Sequence, residues 1–145
     1  MSVPDDVHAF NRAIIDEFRA NNGRVSHEML RNARLVLLTT TGARTGQPRT
    51  TPVAYFDDGP GRIVLWASAR AAPTHPAWYR NLVANPRVTL EFGTETAAGT
   101  ASTAHGAERD RLLDALRSAN PAMAAHQDQT EREIPLVVIT QEGPA

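Results

Sequence analysis

The sequence predicts an α+β domain, mainly antiparallel β: a small barrel of about six strands with helices packed outside. Three observations lead there. Apolar stretches of strand length recur at 33–40, 49–56, 62–68, 87–92, 95–104 and 134–140. Most are joined by short turns rich in Asp, Gly or Pro, which marks hairpins. The strict strand–helix alternation of a parallel doubly wound sheet is missing.

Residues 3–20 read as an amphipathic helix, with Val3, Val7, Phe10, Ile14 and Phe18 along one face. Ser2, Pro4 and Asp5 suit its start, and Asn21-Asn22-Gly23 suits its end. Its polar face carries Asp5, Asp6, Asp16 and Glu17, which anionic lipid would repel. The helix is therefore expected on the barrel or on a partner subunit, with peripheral membrane contact the disfavoured alternative. It forms an N-terminal unit over 1–24, followed by the barrel domain over 25–145.

The first strand, 33–40, is a near-continuous apolar run, as a buried strand requires. Pro48 and Pro52 remove two amide donors from the second, predicting an edge strand or a bulge near Pro52. Asp57 to Gly61 is a turn, and the third strand places Ile63, Leu65 and Ala67 on one face. Pro76 opens a helix with Trp78 and Leu82 facing inward, together with Tyr79 and Val83, and Asn85-Pro86 ends it. A second hairpin turns at Gly93-Thr94, and residues 106–119 form a helix with Leu112, Leu113 and Leu116 inside. The polar segment 120–133 is read as partly helical, and residues 134–140 supply the last buried strand.

Composition removes several function classes. At 145 residues the chain is long enough for one domain that buries about two-thirds of its unfolded surface. With no cysteine there is no disulfide, thiol nucleophile or cysteine-ligated metal. The formal charge of −1 speaks against nucleic acid as a partner. All fifteen basic residues are Arg, so lysine Schiff-base chemistry is excluded and guanidinium is the anion receptor. The five histidines show no metal-ligand spacing, so no metal site is expected. Neither nucleotide-binding glycine fingerprint nor a Gly-x-Ser-x-Gly elbow is present. No apolar run reaches the roughly 20 residues of a membrane span, and no signal peptide is expected, which predicts a soluble cytoplasmic protein.

Against this background the loop Thr39–Arg49 stands out. Thr40, Thr41, Gly42, Thr45 and Gly46 offer hydroxyls and amides that can surround a phosphate. Arg44 and Arg49 add charge-assisted donors. An ordinary hairpin with two exposed arginines is the alternative. Two further polar clusters are Ala67-Ser68-Ala69-Arg70, leaving the third strand, and His75 to Asn81 around Trp78. Trp78 alone is more often a core residue than a cofactor wall.

LLTTTGARTGQPRTTPV, the Ala67-Ser68 strand end and HPAWYRNLVANPRV, in that order and spacing, resemble the deazaflavin-dependent nitroreductase family. The final IPLVVI strand, preceded by Thr130 and Arg132, matches as well, so the resemblance spans residues 33–140. It implies a split β-barrel of the flavin-reductase and pyridoxamine-oxidase type, occurring as monomer or homodimer. The implied reaction is hydride transfer from the reduced 8-hydroxy-5-deazaflavin coenzyme (F-420) to a small-molecule electron acceptor, namely a quinone, nitroaromatic or activated enone. Flavin mononucleotide (FMN) is the alternative cofactor, and a non-catalytic deazaflavin-binding or carrier protein the alternative function.

The resemblance also assigns residues. Thr41, Arg44, Thr45, Gln47 and Arg49 would hold the coenzyme phosphate, and Pro52, Val53 and Ala54 would lie along the ring. Ala67, Ser68 and Arg70 would contact ring or phosphate tail, with Trp78, Tyr79 and Asn81 closing the groove. Ser68 is the candidate for polarising or protonating the acceptor, and Tyr55 is a second. Relatives that reduce quinones and nitroimidazoles line the substrate pocket with tyrosines before the last strand. The matching stretch here, 120–126, has none, which leaves Met123 and His126 to line the substrate pocket.

Overall fold

The computed structural model describes residues 7–23, 34–68, 74–93 and 95–142. Helix α1 (Val7–Ala20) precedes strands β1 (Leu35–Thr41), β2 (Pro48–Asp57) and β3 (Arg62–Trp66). Helix α2 (Ala77–Ala84) leads to the hairpin of β4 (Arg87–Glu91) and β5 (Thr96–Thr103). Helix α3 (Gly106–Ala119), the short α4 (Pro121–Ala124) and a 3-10 turn (Ala125–Gln129) precede β6 (Leu136–Gln141). The strands close into an antiparallel barrel in the order β1-β2-β3-β6-β5-β4. That is the expected split barrel, in which closure covers most of the sheet edge.

Alternation along each strand divides the apolar residues between two cores. Inside the barrel lie Val36, Leu38, Val53, Ile63, Leu65, Val88, Leu90, Val137 and Ile139. Trp78 and Leu82, four apart on α2, join this cluster. The opposite faces of β3 and β6 carry Val64, Trp66, Leu136 and Val138, which Leu112 and Leu116 of α3 cover. Val83 departs from expectation. It is 60% exposed, because Trp78 and Leu82 define the inward stripe and Val83 lies about 100° further round the helix. Leu113 is half-buried against the second cluster.

Strand β2 is not an edge strand, and no bulge interrupts it. Its register with β1 runs unbroken from Leu35↔Ala54 through Leu37↔Pro52 to Thr41↔Pro48. Pairing with β3, however, covers only Tyr55↔Leu65 to Asp57↔Ile63. Residues 48–54 thus have a ladder on one side only, which is why two prolines fit there. Strand β3 also ends earlier than its sequence suggests, with Ala67 and Ser68 outside the strand.

Helix α1 docks on the barrel through buried Ile14 and Phe18 and through Arg19, bidentate to Glu91 on β4. Its expected start at residues 3–6 and the side chains of Val7 and Phe10 lie outside the described residues. Asn22 (φ 55°) and Gly23 (φ 96°) end it in left-handed conformations, and the Gly23 amide donates to the Phe18 carbonyl at 2.7 Å. This is a C-terminal cap of the Schellman kind. It lies against Gly93, where an added Cβ would stand 2.5 Å from the Asn22 carbonyl oxygen and φ is +117°. Gly93→Ala should therefore cost about 1–3 kcal/mol through backbone strain and displacement of α1. Urea unfolding measures this, and an unchanged midpoint would contradict the docking described.

Candidate coenzyme and acceptor site

One end of the barrel collects the β1–β2 loop (42–47), the exit of β3, α2, the exit of β5 and the entry to β6. The other end holds the 58–61 turn and the 92–95 hairpin. At the first end the β1–β2 loop is folded on itself. The Gly42 amide donates to the Gln47 carbonyl (2.8 Å), Gly46 to Gly42 (2.9 Å), and Gln47 to Thr45 Oγ1 (3.2 Å). A Cβ at Gly42 would come within 2.7 Å of Thr45 Oγ1 and 3.2 Å of the Gln47 carbonyl oxygen, so glycine there lets the turn close without moving Thr45. Asn81 of α2 braces the loop: its Oδ1 accepts from the Ala43 amide (3.0 Å), and its Nδ2 donates to buried Thr40 Oγ1 (3.1 Å).

Arg44, Thr45, Gln47 and Arg49 are all exposed on this braced loop and the start of β2, with Thr41 half-buried below. Among the described residues neither Arg44 nor Arg49 has an ion-pair or hydrogen-bond partner. Elsewhere arginines sit on carboxylates: Arg19 on Glu91, Arg34 on Asp57, Arg87 on Glu142 and Arg111 on Asp58. Asp58 is held below the usual carboxylate range chiefly by its hydrogen bonds to Arg111 and by charge from Arg111 and Arg62, against the opposing effect of burial. The chain explains the contrast. No Asp or Glu occurs between Glu28 and Asp57, or between Asp58 and Glu91. That acid-free run is a signal the spacing of motifs did not reveal.

From the loop, β2 carries Pro52 and Ala54 half-buried on its outer face, while Val53 points into the core. Because the β2–β3 ladder stops at Tyr55↔Leu65, the described residues leave an opening in the ladder between 48–54 and the exit of β3. Ala67 and Ser68 lie at that exit, and both are buried. Two side chains of β3 and its exit, Trp66 and Ser68, meet the segment that contains α4. Trp66 Nε1 donates to the Met123 carbonyl (2.9 Å), and Ser68 Oγ lies 3.1 Å from His126 Nδ1. The Met123 side chain packs on the cluster beneath α3.

Arg132 fixes the exit itself. Its Nη2 donates to the Ser68 carbonyl (2.6 Å) and the Ala67 carbonyl (3.1 Å), and its Nη1 to His75 Nδ1 (2.8 Å). A guanidinium only donates, so His75 Nδ1 is bare and the ring proton sits on Nε2. Burial, with charge from Arg132 and Arg80, pulls His75 below its ordinary pKa. Burial also lowers Arg132, which stays charged. His75 meets the Tyr79 ring edge-on at 5.0 Å, and Tyr79 OH pairs with Thr103 Oγ1 at 2.9 Å. These groups line a cleft of about 270 Å³ with His105, Arg109 and Pro135.

The structure thus joins Thr41, Arg44, Thr45, Gln47, Arg49 and Asn81 around one loop, and Ser68 with His126 beside the opening. It separates others. Trp78 lies in the barrel core, and Tyr79 faces the cleft beside β5. Tyr55 stands toward the opposite end, its hydroxyl on Arg34 Nη2 (3.2 Å) and its ring edge-on to Phe92. Arg70 lies outside the described residues. Arg132 and His75 were not singled out as site residues by sequence, and an arginine that holds two distant strand-end carbonyls is visible only in three dimensions. Among the described residues no group of acidic or histidine side chains could hold a metal ion.

A family model described as F420H(2)-dependent quinone reductase matches residues 10–141. The chain belongs to this family. An F420H(2)-dependent quinone reductase of Mycobacterium tuberculosis is 37% identical over 127 residues, covering 86% of this chain and 85% of the relative. A solved structure titled as an F420-H2 dependent reductase is 34% identical, with a TM-score of 0.66 over 73% of this chain and 93% of the other. A Listeria innocua protein described as a pyridoxamine 5'-phosphate oxidase shares the fold at 14% identity, with a TM-score of 0.51 over 75% of this chain and 84% of the other. The family match favours the deazaflavin over FMN, and the residues present fit it. The two arginines without acidic partners suit a phosphate, and the half-buried Pro52–Ala54 face suits a flat ring.

The His75 geometry makes a prediction for pH. The folded protein keeps this ring neutral, whereas the unfolded chain takes up a proton below about pH 6.5. Stability should therefore fall as pH drops through that value. His75→Asn retains an acceptor for Arg132 and should flatten the change seen by urea unfolding between about pH 7.5 and 5.5. An identical pH dependence in both proteins would contradict the assignment.

Proposed function

We propose that this chain transfers a hydride from the reduced deazaflavin coenzyme (F-420) to a quinone. The observation that carries the reading is the braced loop with two arginines that have no acidic partner among the described residues, set beside an opening in the ladder flanked by a buried hydroxyl. Arg44 and Arg49 would bind the coenzyme phosphate, with Thr45 and Gln47 completing the cradle. Pro52, Val53 and Ala54 would support the ring, the first and third through their outer faces. When bound, the reduced deazaflavin supplies a hydride, so the protein's tasks are binding, orientation and water exclusion.

Ser68 is 6% exposed at the opening, where a hydroxyl keeps its strength as a donor because little water competes. It would donate to an acceptor oxygen as negative charge develops there. Arg132 holds the Ala67 and Ser68 carbonyls and so keeps that hydroxyl at the opening. Nitroaromatics and activated enones share the need for hydride and proton and are further acceptors of this class. A carrier would have no use for a buried Ser68 hydroxyl paired with His126. Helix α1 spends Ile14 and Phe18 on the barrel, which leaves those residues unavailable to lipid. No helix among the described residues is long and apolar enough to cross a membrane.

Stopped-flow oxidation of the reduced coenzyme by a quinone tests the reaction, and no turnover with any quinone would overturn it. For the phosphate site, Arg44→Ala and Arg49→Ala should each weaken coenzyme binding by about 1.5–3 kcal/mol, the scale of one charge-assisted contact. Fluorescence titration reads this directly. Unchanged affinity in both variants would remove the assignment.

A further inference from the structure

We propose that His126 is the proton source behind Ser68: its Nδ1–H points the Ser68 hydroxyl at the acceptor and refills it after the hydroxyl proton is given up. The proposal rests on the quinone reductase reading above and names a residue in it that the motif resemblance assigns only to pocket lining.

The geometry carries it. Ser68 Oγ and His126 Nδ1 are 3.1 Å apart, and Ser68 is buried at the opening while His126 is half-buried. A hydroxyl has one hydrogen, so the direction of this bond decides what Ser68 can do. If Nδ1 accepts, the hydrogen is consumed and only oxygen lone pairs face the opening, which would repel a developing oxyanion. If Nδ1–H donates, the hydroxyl hydrogen is left for the acceptor. The other half of Ser68 is immobilised by Arg132 on its carbonyl at 2.6 Å, so the rotation of the hydroxyl is the remaining freedom.

The chemistry requires one proton beyond the hydride. A quinone that receives a hydride holds two more electrons and one more hydrogen, and becomes the hydroquinone monoanion. The Ser68 O–H bond breaks as the new O–H bond to the hydroquinone oxygen forms. In the same movement Ser68 takes the Nδ1 proton of the protonated ring, which ends neutral and recovers its proton from water. Quinone, hydride and proton sum to hydroquinone, and Ser68 is unchanged.

Two measurements test this. Nitrogen-15 NMR of ring-labelled protein without coenzyme should show His126 Nδ1 protonated, with a signal that moves in Ser68→Ala. A bare Nδ1 overturns the proposal. The second follows kcat across quinones whose hydroquinone anions range from weakly to strongly basic. His126→Ala should lose at least about tenfold on the most basic and little on the least, with KM for reduced coenzyme within about twofold, as expected for removal of a general acid. His126→Asn keeps an N–H toward Ser68 but cannot release its proton, so it should reproduce the graded loss. Equal losses on every quinone, or wild-type rates in His126→Asn, overturn it. If the wild-type protein turns over no quinone, the function proposed above fails instead, and the NMR result still decides the direction of the Ser68–His126 bond.

Discussion

Asn81 is the contact on which the arrangement of the site depends. One carboxamide on α2 accepts from the Ala43 amide and donates to buried Thr40, tying the β1–β2 loop to the helix that closes the barrel. Trp78 and Leu82 anchor that helix in the core, so the loop inherits its position from apolar packing. The folded loop keeps its internal bonds on backbone atoms and Thr45, and the side chains of Arg44 and Arg49 are exposed. A flexible hairpin with the same residues would have to be ordered by the coenzyme, at a cost to affinity.

The distribution of charge follows the same division. With a net charge of −1 the protein is no general anion binder, and among the described residues several arginines away from the loop sit on carboxylates. Exposed pairs such as Arg87–Glu142 contribute about 0–1 kcal/mol each. Their larger effect is to leave the acid-free segments as the place where positive charge is uncompensated. Half-buried Arg132 works differently. It satisfies two strand-end carbonyls and a histidine nitrogen, groups that would otherwise lose their hydrogen bonds on burial.

Much of the fold is written in local pattern. Alternation placed Ile63, Leu65 and Ala67 on one face, and i,i+4 spacing placed Trp78 and Leu82 inward, as the barrel has them. What local pattern misses is set by distant partners. Two prolines suggested an edge strand, but β3 leaves β2 after Leu65, so a strand within a closed barrel has one free flank. Ala67 and Ser68 fall outside β3, with their carbonyls on Arg132, more than sixty residues away. The candidate loop drew notice because threonine, glycine and arginine are contiguous there. The Ser68–His126 and Arg132–His75 contacts were not legible, since each spans 57 residues or more. Trp78 shows the value of i,i+4 spacing: it lies in the core, as its residue type and its place four before Leu82 indicate, and not on the groove wall that the motif resemblance implied.

The central claim is that the braced loop and the open flank of β2 form a site for a deazaflavin coenzyme. Competitive binding of oxidised F-420 and FMN, followed by fluorescence on the same protein, tests it most directly. Saturable binding of the deazaflavin that FMN does not displace at equal concentration is the predicted result. Preferential binding of FMN, or no saturable binding of the deazaflavin, would contradict the account.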